Sequence, residues 1–210
     1  MSAGARRPLV LILHGPSGVG KESVIEGLQQ ATGIHRATST TDRAPRPGER
    51  DGIDYHFVRT EEFERRIAAD LFAEWARVYD DWKGLERAEI EAPLARGEDV
   101  IIRTDVQGAR TWRARLEGAT SILIVAAGPD EGADVHRTIT RGRILGRDGN
   151  VAKETLEKRL REVDEELADI PENDYVVVNQ EGELDQAVSR ILGIIDQERA
   201  NSERPVPRLR

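Results

Sequence analysis

The sequence predicts an α/β fold, a parallel sheet with helices packed on it. Three observations carry this reading. Four short runs, at 8–14, 99–104, 121–127 and 174–179, are apolar almost without alternation, as strands covered on both faces are. Apolar residues at helical spacing recur at 21–30, 85–96, 107–116, 154–167 and 183–199. Strand and helix alternate along most of the chain, which implies right-handed crossovers within one sheet.

Taken in order, residues 8–14 form the first strand and end at a glycine-rich turn, Gly15-Pro16-Ser17-Gly18-Val19-Gly20-Lys21, followed by Glu22 and Ser23. Val24, Ile25 and Leu28 then give the first helix its apolar face. Residues 38–78 break the alternation with Pro45, Pro47, Gly48 and Gly52 around a short Tyr-His-Phe-Val strand, and read as an inserted lobe. Residues 129–152, rich in Gly, Asp and Arg, read as a mobile lid between helices. The body of one domain, 1–200, is then 8–37, 79–128 and 153–200. The proline- and arginine-rich tail, 201–210, is expected to be disordered.

Composition narrows the function. A chain of 210 residues suits a single core. The net charge of −8 weighs against nucleic-acid or membrane-surface binding, both of which need a basic face. The absence of cysteine excludes disulfides and thiolate metal sites and fits a reducing cytoplasm. Five apolar residues after Arg6 and Arg7 are too few for a membrane span. His14, His35, His56 and His136 lack metal-ligand spacing and read as structural, and Trp82 and Trp112 as packing residues.

The turn at 15–21 matches the G-x-x-x-x-G-K part of a phosphate-binding loop. Glycines let backbone N–H groups converge on phosphate oxygens, the helix start adds positive potential, and Lys21 reaches the terminal phosphates. A plain glycine-rich turn would ask nothing of Lys21, and the strand before and helix after favour the phosphate reading. In Ser39-Thr-Thr-Asp-Arg43-Ala-Pro-Arg46-Pro-Gly-Glu-Arg-Asp-Gly-Ile-Asp-Tyr55, two arginines three apart could grip one phosphate. The residues alone allow equally a solvated, charged loop.

The two stretches together resemble the guanylate kinase family. The likeness continues through Glu62-Phe63, Phe72-Ala-Glu74-Trp-Ala, Asp105-Val-Gln-Gly108 and Asp174-Tyr-Val-Val-Val-Asn179, and covers residues 9–195. The resemblance implies a P-loop kinase fold with a GMP-binding lobe and a closing lid, and Mg²⁺-dependent phosphoryl transfer from ATP to GMP. By position it puts Arg43, Arg46 and Tyr55 on the GMP phosphate, and Ser39, Glu74 and Asp105 at the guanine. Arg143, Arg147 and Arg159 would be the lid cations around the transferred group, with Arg141 competing with Arg143. Residues 15–23 would hold ATP, with Ser23 offering Mg²⁺ a hydroxyl.

The chain departs from the family at four points. Glu22 stands where a hydroxyl is expected, and is expected to point out of the phosphate cradle. Lys83-Gly84-Leu85 replaces a Tyr-Gly-Thr/Ser segment; lysine can still serve a phosphate, but leucine cannot donate to a guanine carbonyl. Arg103 stands where the family carries an acidic residue. Two alternatives therefore remain beside GMP phosphorylation: a diverged kinase acting on another small phosphate ester, and a nucleotide- or protein-binding module without turnover.

Overall fold

The computed structural model describes residues 6–78, 80–149 and 151–210, with the side chains of all of these except 147 and 148. Its central sheet holds β1 (Val10–His14), β2 (His35–Arg36), β7 (Val100–Arg103), β9 (Thr120–Val125) and β10 (Tyr175–Val178) in the order β10-β9-β1-β7-β2, every pairing parallel. The apolar runs are continuous because both faces are covered. On β1, Leu11 and Leu13 join one buried cluster while Val10 and Ile12 join another, the period of two that a pleated strand imposes. The first cluster packs under α1 (Lys21–Thr32) and α7 (Leu184–Ala200), the second under α3 (Ala88–Ala95) and α4 (Val106–Arg115).

A second sheet forms the inserted lobe, from β3 (Thr40–Thr41), β4 (His56–Phe57), β5 (Phe72–Val78) and β6 (Asp81–Glu86), in the order β4-β3-β6-β5 with α2 (Thr60–Ala68). The lobe therefore extends past the expected boundary at 78, and residues 85 and 86 belong to a strand, not to the start of the helix read at 85–96. The hairpin β5–β6 places Glu74 opposite Leu85 and carries a bulge between Phe72 and Glu74. Phe63 stacks on Phe72 at 4.4 Å and on Trp82 at 6.0 Å, joining α2 to the hairpin.

The segment read as a mobile lid, 129–152, contains the sixteen-residue helix α5 (Ala133–Asp148), which packs along α6 (Lys153–Ala168) and is pinned to it by Arg137 on Asp164 at 2.7 Å. Its buried stripe is His136, Thr140 and Ile144, spaced by four. Two of those three are polar, so the helix gave no apolar periodicity in the sequence.

The tail is the larger correction. Expected to be disordered, it runs back across the body. Strand β11 (Arg208–Leu209) pairs antiparallel with β8 (Leu116–Glu117), and a short 3₁₀ turn, 170–172, precedes β10. Arg204 binds Asp174 at 2.8 Å and the buried Glu198 at 2.6 Å, and Arg7 donates to the Pro205 carbonyl at 2.8 Å. A buried carboxylate needs a cation, and the tail supplies it. Among the described residues no helix is long and apolar enough to cross a membrane.

Candidate active site

The carboxyl ends of the parallel strands open onto one cleft of about 1580 Å³, more than the roughly 300–1,000 Å³ that one small ligand occupies. Its floor is the loop between β1 and α1. Gly15 and Gly20 adopt φ of 145° and 92°. A Cβ on Gly15 would lie 2.2 Å from the Ile124 carbonyl oxygen, and one on Gly20 would lie 2.4 Å from Asn179 Nδ2. Only glycine lets the loop lie this close to β9 and to the end of β10. Asn179 fixes the loop from the far side, donating from Nδ2 to the Val19 carbonyl at 2.8 Å.

Lys21 folds back over this loop and donates to the Gly15 and Pro16 carbonyls, the latter at 2.9 Å. Burial is the largest influence on its ammonium and, with Arg103, lowers the pKa to about 8, while Glu166, Glu22 and Asp105 oppose the fall. Glu166 is itself buried, its carboxylate 2.7 Å from His14 Nδ1, and the other ring nitrogen of His14 lies 2.7 Å from Asn173 Oδ1. This network ties α6 to the last residue before the loop.

Glu22, expected to point out of the cradle, lines the cleft at the lip of the loop, and its charge is taken up by two arginines. Its carboxylate is 2.5 Å from Arg103 Nε and 2.8 Å from Arg36 Nη1. The two departures at positions 22 and 103 thus meet each other as an ion pair. Gly15, Ser17, Gly18, Gly20, Lys21, Glu22 and Ser23 line the cleft, whereas Pro16 and Val19 are buried behind it.

The opposite wall comes from the lobe. Ser39, Tyr55, Glu74 and Lys83 face the same cleft from it, and Asp105 faces the cleft from the core, between β7 and α4. Burial raises the Glu74 carboxyl above the usual carboxylate range, with Arg115 opposing. Asp105 caps α4, accepting from the Gly108 N–H at 2.9 Å. Lys83 Nζ lies 5.9 Å from the Tyr55 ring centre, beside the tyrosine expected at the monophosphate. Leu85 is 2 % exposed and packs with Ile12, Ala73 and Ile90, so the backbone of Gly84, not the leucine, reaches the cleft.

The arginines divide. Arg143 lines the cleft and donates to the Asn179 carbonyl at 2.8 Å; burial lowers its pKa. Arg159 sits half-buried on α6, outside the cleft lining, and the side chain of Arg147 lies outside the described residues. Arg43 does not face the cleft. Both its terminal nitrogens are engaged by Glu49 at 2.8 Å, and it lies over the Tyr55 and Phe57 rings. The Arg43 fork, then the Arg46 N–H, hold the Glu49 carboxyl near 2. The Arg46 side chain is exposed.

A parallel sheet, a glycine loop with its lysine at a helix start, and a two-walled cleft define a P-loop nucleotide-binding protein of the α/β class. The family model described as Guanylate kinase matches residues 5–198. The chain is 40% identical over 195 residues to "Guanylate kinase 2, chloroplastic/mitochondrial" of Oryza sativa subsp. japonica, covering 92% of this chain and 66% of that protein. It is 38% identical over 197 residues to a guanylate kinase of Symbiobacterium thermophilum, covering 93% and 88%. The crystal structure of guanylate kinase from Anaplasma phagocytophilum superimposes with a TM-score of 0.68 at 26% identity, over 95% of this chain and 90% of that one. The chain belongs to the guanylate kinase family.

Proposed function

We propose that the chain transfers the terminal phosphoryl group of ATP to GMP. The observation that carries this is a single cleft with Lys21 and its phosphate loop on one wall and Glu74, Tyr55 and Lys83 on the other. One cleft with two walls suits two nucleotides meeting end to end, and in-line transfer between them needs positioning and charge, with no covalent intermediate. Lys21 and Arg143 offset charge on the transferred group, Lys83 and Tyr55 hold the acceptor phosphate, and Glu74 accepts the N1–H and exocyclic amine of guanine. Adenine offers no matching donor pair.

Magnesium, ATP and GMP are the ligands of this reading, and the cytoplasm its expected place. Among the described residues no three His, Cys, Asp or Glu side chains are placed to hold a metal ion. The Ser23 hydroxyl and the Asp105 carboxylate do offer oxygen donors in the cleft. That set fits a hard cation held mainly by nucleotide phosphates and water, with Ser23 as its protein ligand. The chemistry such an ion would supply there is neutralisation of the nucleotide's phosphate charge.

A second reading, transfer to a different small phosphate ester, is favoured by Lys83 in the cleft and by Arg43 turned onto Glu49. ADP release measured across a panel of nucleoside monophosphates and sugar phosphates separates the two. GMP turning over fastest supports guanylate kinase activity. Preference for another ester supports the second reading, and no turnover with any acceptor leaves a binding module.

A further inference from the structure

At the lip of the phosphate loop one carboxylate faces two guanidinium groups. Glu22 lies 2.5 Å from Arg103 Nε and 2.8 Å from Arg36 Nη1, so the trio keeps one surplus positive charge. The two arginines differ in setting. Arg36 is 18% exposed on the outer strand β2 and lies outside the cleft lining, whereas Arg103 is 41% exposed and lines the cleft beside Lys21. The backbone under Arg103 is fixed, since it pairs with Leu13 across β1 and β7 and the Thr104 N–H binds the Leu13 carbonyl at 3.0 Å. Arg103 meets Glu22 through Nε, so the contact that holds it leaves the geometry of a guanidinium fork to the terminal nitrogens of a side chain that lines the cleft.

We propose that Arg103 is a phosphate-contacting residue of the nucleotide cleft and that Glu22 is its positioning residue. This rests on the reading of the cleft as a nucleotide site. A guanidinium fork matches two phosphate oxygens, and its charge does not depend on pH. Set near the Lys21 ammonium without an anion, that cation would repel it. Set near a polyphosphate without a cation, Glu22 would repel the ligand. Each residue is tolerable because of the other, so the two departures from the family pattern are one change. Part of the positive charge that the phosphates require is then carried by the protein itself and persists when no divalent cation is bound.

The test is ATP binding by calorimetry, once with a chelator and once in excess Mg²⁺, on the full chain and on Arg103→Asp, Arg103→Lys, Glu22→Ser and the double variant Glu22→Ser/Arg103→Asp. Without metal, Arg103→Asp is expected to weaken ATP binding about tenfold or more, the scale of one lost charge-assisted contact. Arg103→Lys, which keeps the charge and guards against a folding artefact, is expected to lose much less. In excess Mg²⁺ the double variant is expected to bind more tightly than Arg103→Asp alone, because Glu22 and Asp no longer face each other. Metal-free binding by Arg103→Asp equal to that of the unaltered chain overturns the phosphate contact. A double variant as weak as the product of the two single losses overturns the positioning role of Glu22. Both are read from binding alone, so failure of the chain to phosphorylate GMP would overturn the activity and leave this test intact.

Discussion

Lys21 carries its charge where charge is hard to keep. Burial and Arg103 hold its pKa at about 8, well below the 10.5 of a free lysine. The sign of the consequence follows directly. A polyphosphate favours the ammonium, so ATP affinity is complete below pH 8 and falls as pH rises through that value, by up to tenfold per unit until the bound-state pKa is reached. Calorimetric titrations between pH 7 and 9.5 check this, and an affinity flat across that range would contradict it. Lys21→Ala is expected to abolish ATP-dependent turnover while its thermal unfolding stays near that of the unaltered chain, since among the described residues the ammonium donates to carbonyls of its own loop. At this scale the loop residues were legible because glycine spacing has a steric cause. The direction of Arg43 was not, because nothing in the sequence says that Glu49, six residues on, takes its fork before a substrate does. Glu166 and Asn179 were missed for different reasons. One is a glutamate among many in a charged helix, and the other ends a strand whose carboxyl end marks a ligand site by rule.

Between elements, Glu89 on α3 joins the lobe to the core. It accepts from the Thr38 N–H at 2.8 Å and lies 3.2 Å from His35 Nε2 on β2 and 3.1 Å from His56 Nε2 on β4. Burial alone would raise its carboxyl, yet the His35 bond, the Thr38 N–H and the His56 bond outweigh that and hold it near 2. A depressed carboxylate stabilises the fold above its unfolded pKa of about 4.5, and that stabilisation is lost as pH falls from there toward 2. Glu89→Gln is expected to cost about 1–3 kcal/mol at pH 7. In urea unfolding the gap from the unaltered chain should close as pH drops through that window; a gap that persists at pH 2 would contradict the assignment. The strands of the core were legible because burial on both faces leaves unbroken apolar runs. Helix α5 and the pairing of the tail were not, because His136, Thr140 and Arg204 are polar residues whose role depends on distant partners.

For the molecule as a whole, one cleft holds two walls carried by different parts, the core with its loop and the lobe with Glu74 and Lys83. An arrangement that admits two nucleotides cannot also exclude water, so the lobe and the segment 129–152, with its helix α5, are expected to close on binding. Hydrogen exchange in 38–86 and 129–152 should slow with an ATP analogue plus GMP and change less with either alone. Equal exchange with and without both ligands would argue against closure. The central claim is that the chain moves one phosphoryl group from ATP to GMP and not to water. Phosphorus NMR of ATP, Mg²⁺ and GMP with the protein tests it most directly. ADP and GDP resonances growing in together at equal rates, and absent with Lys21→Ala, are the predicted result; ADP growing in with inorganic phosphate, or no change in ATP at all, would contradict it.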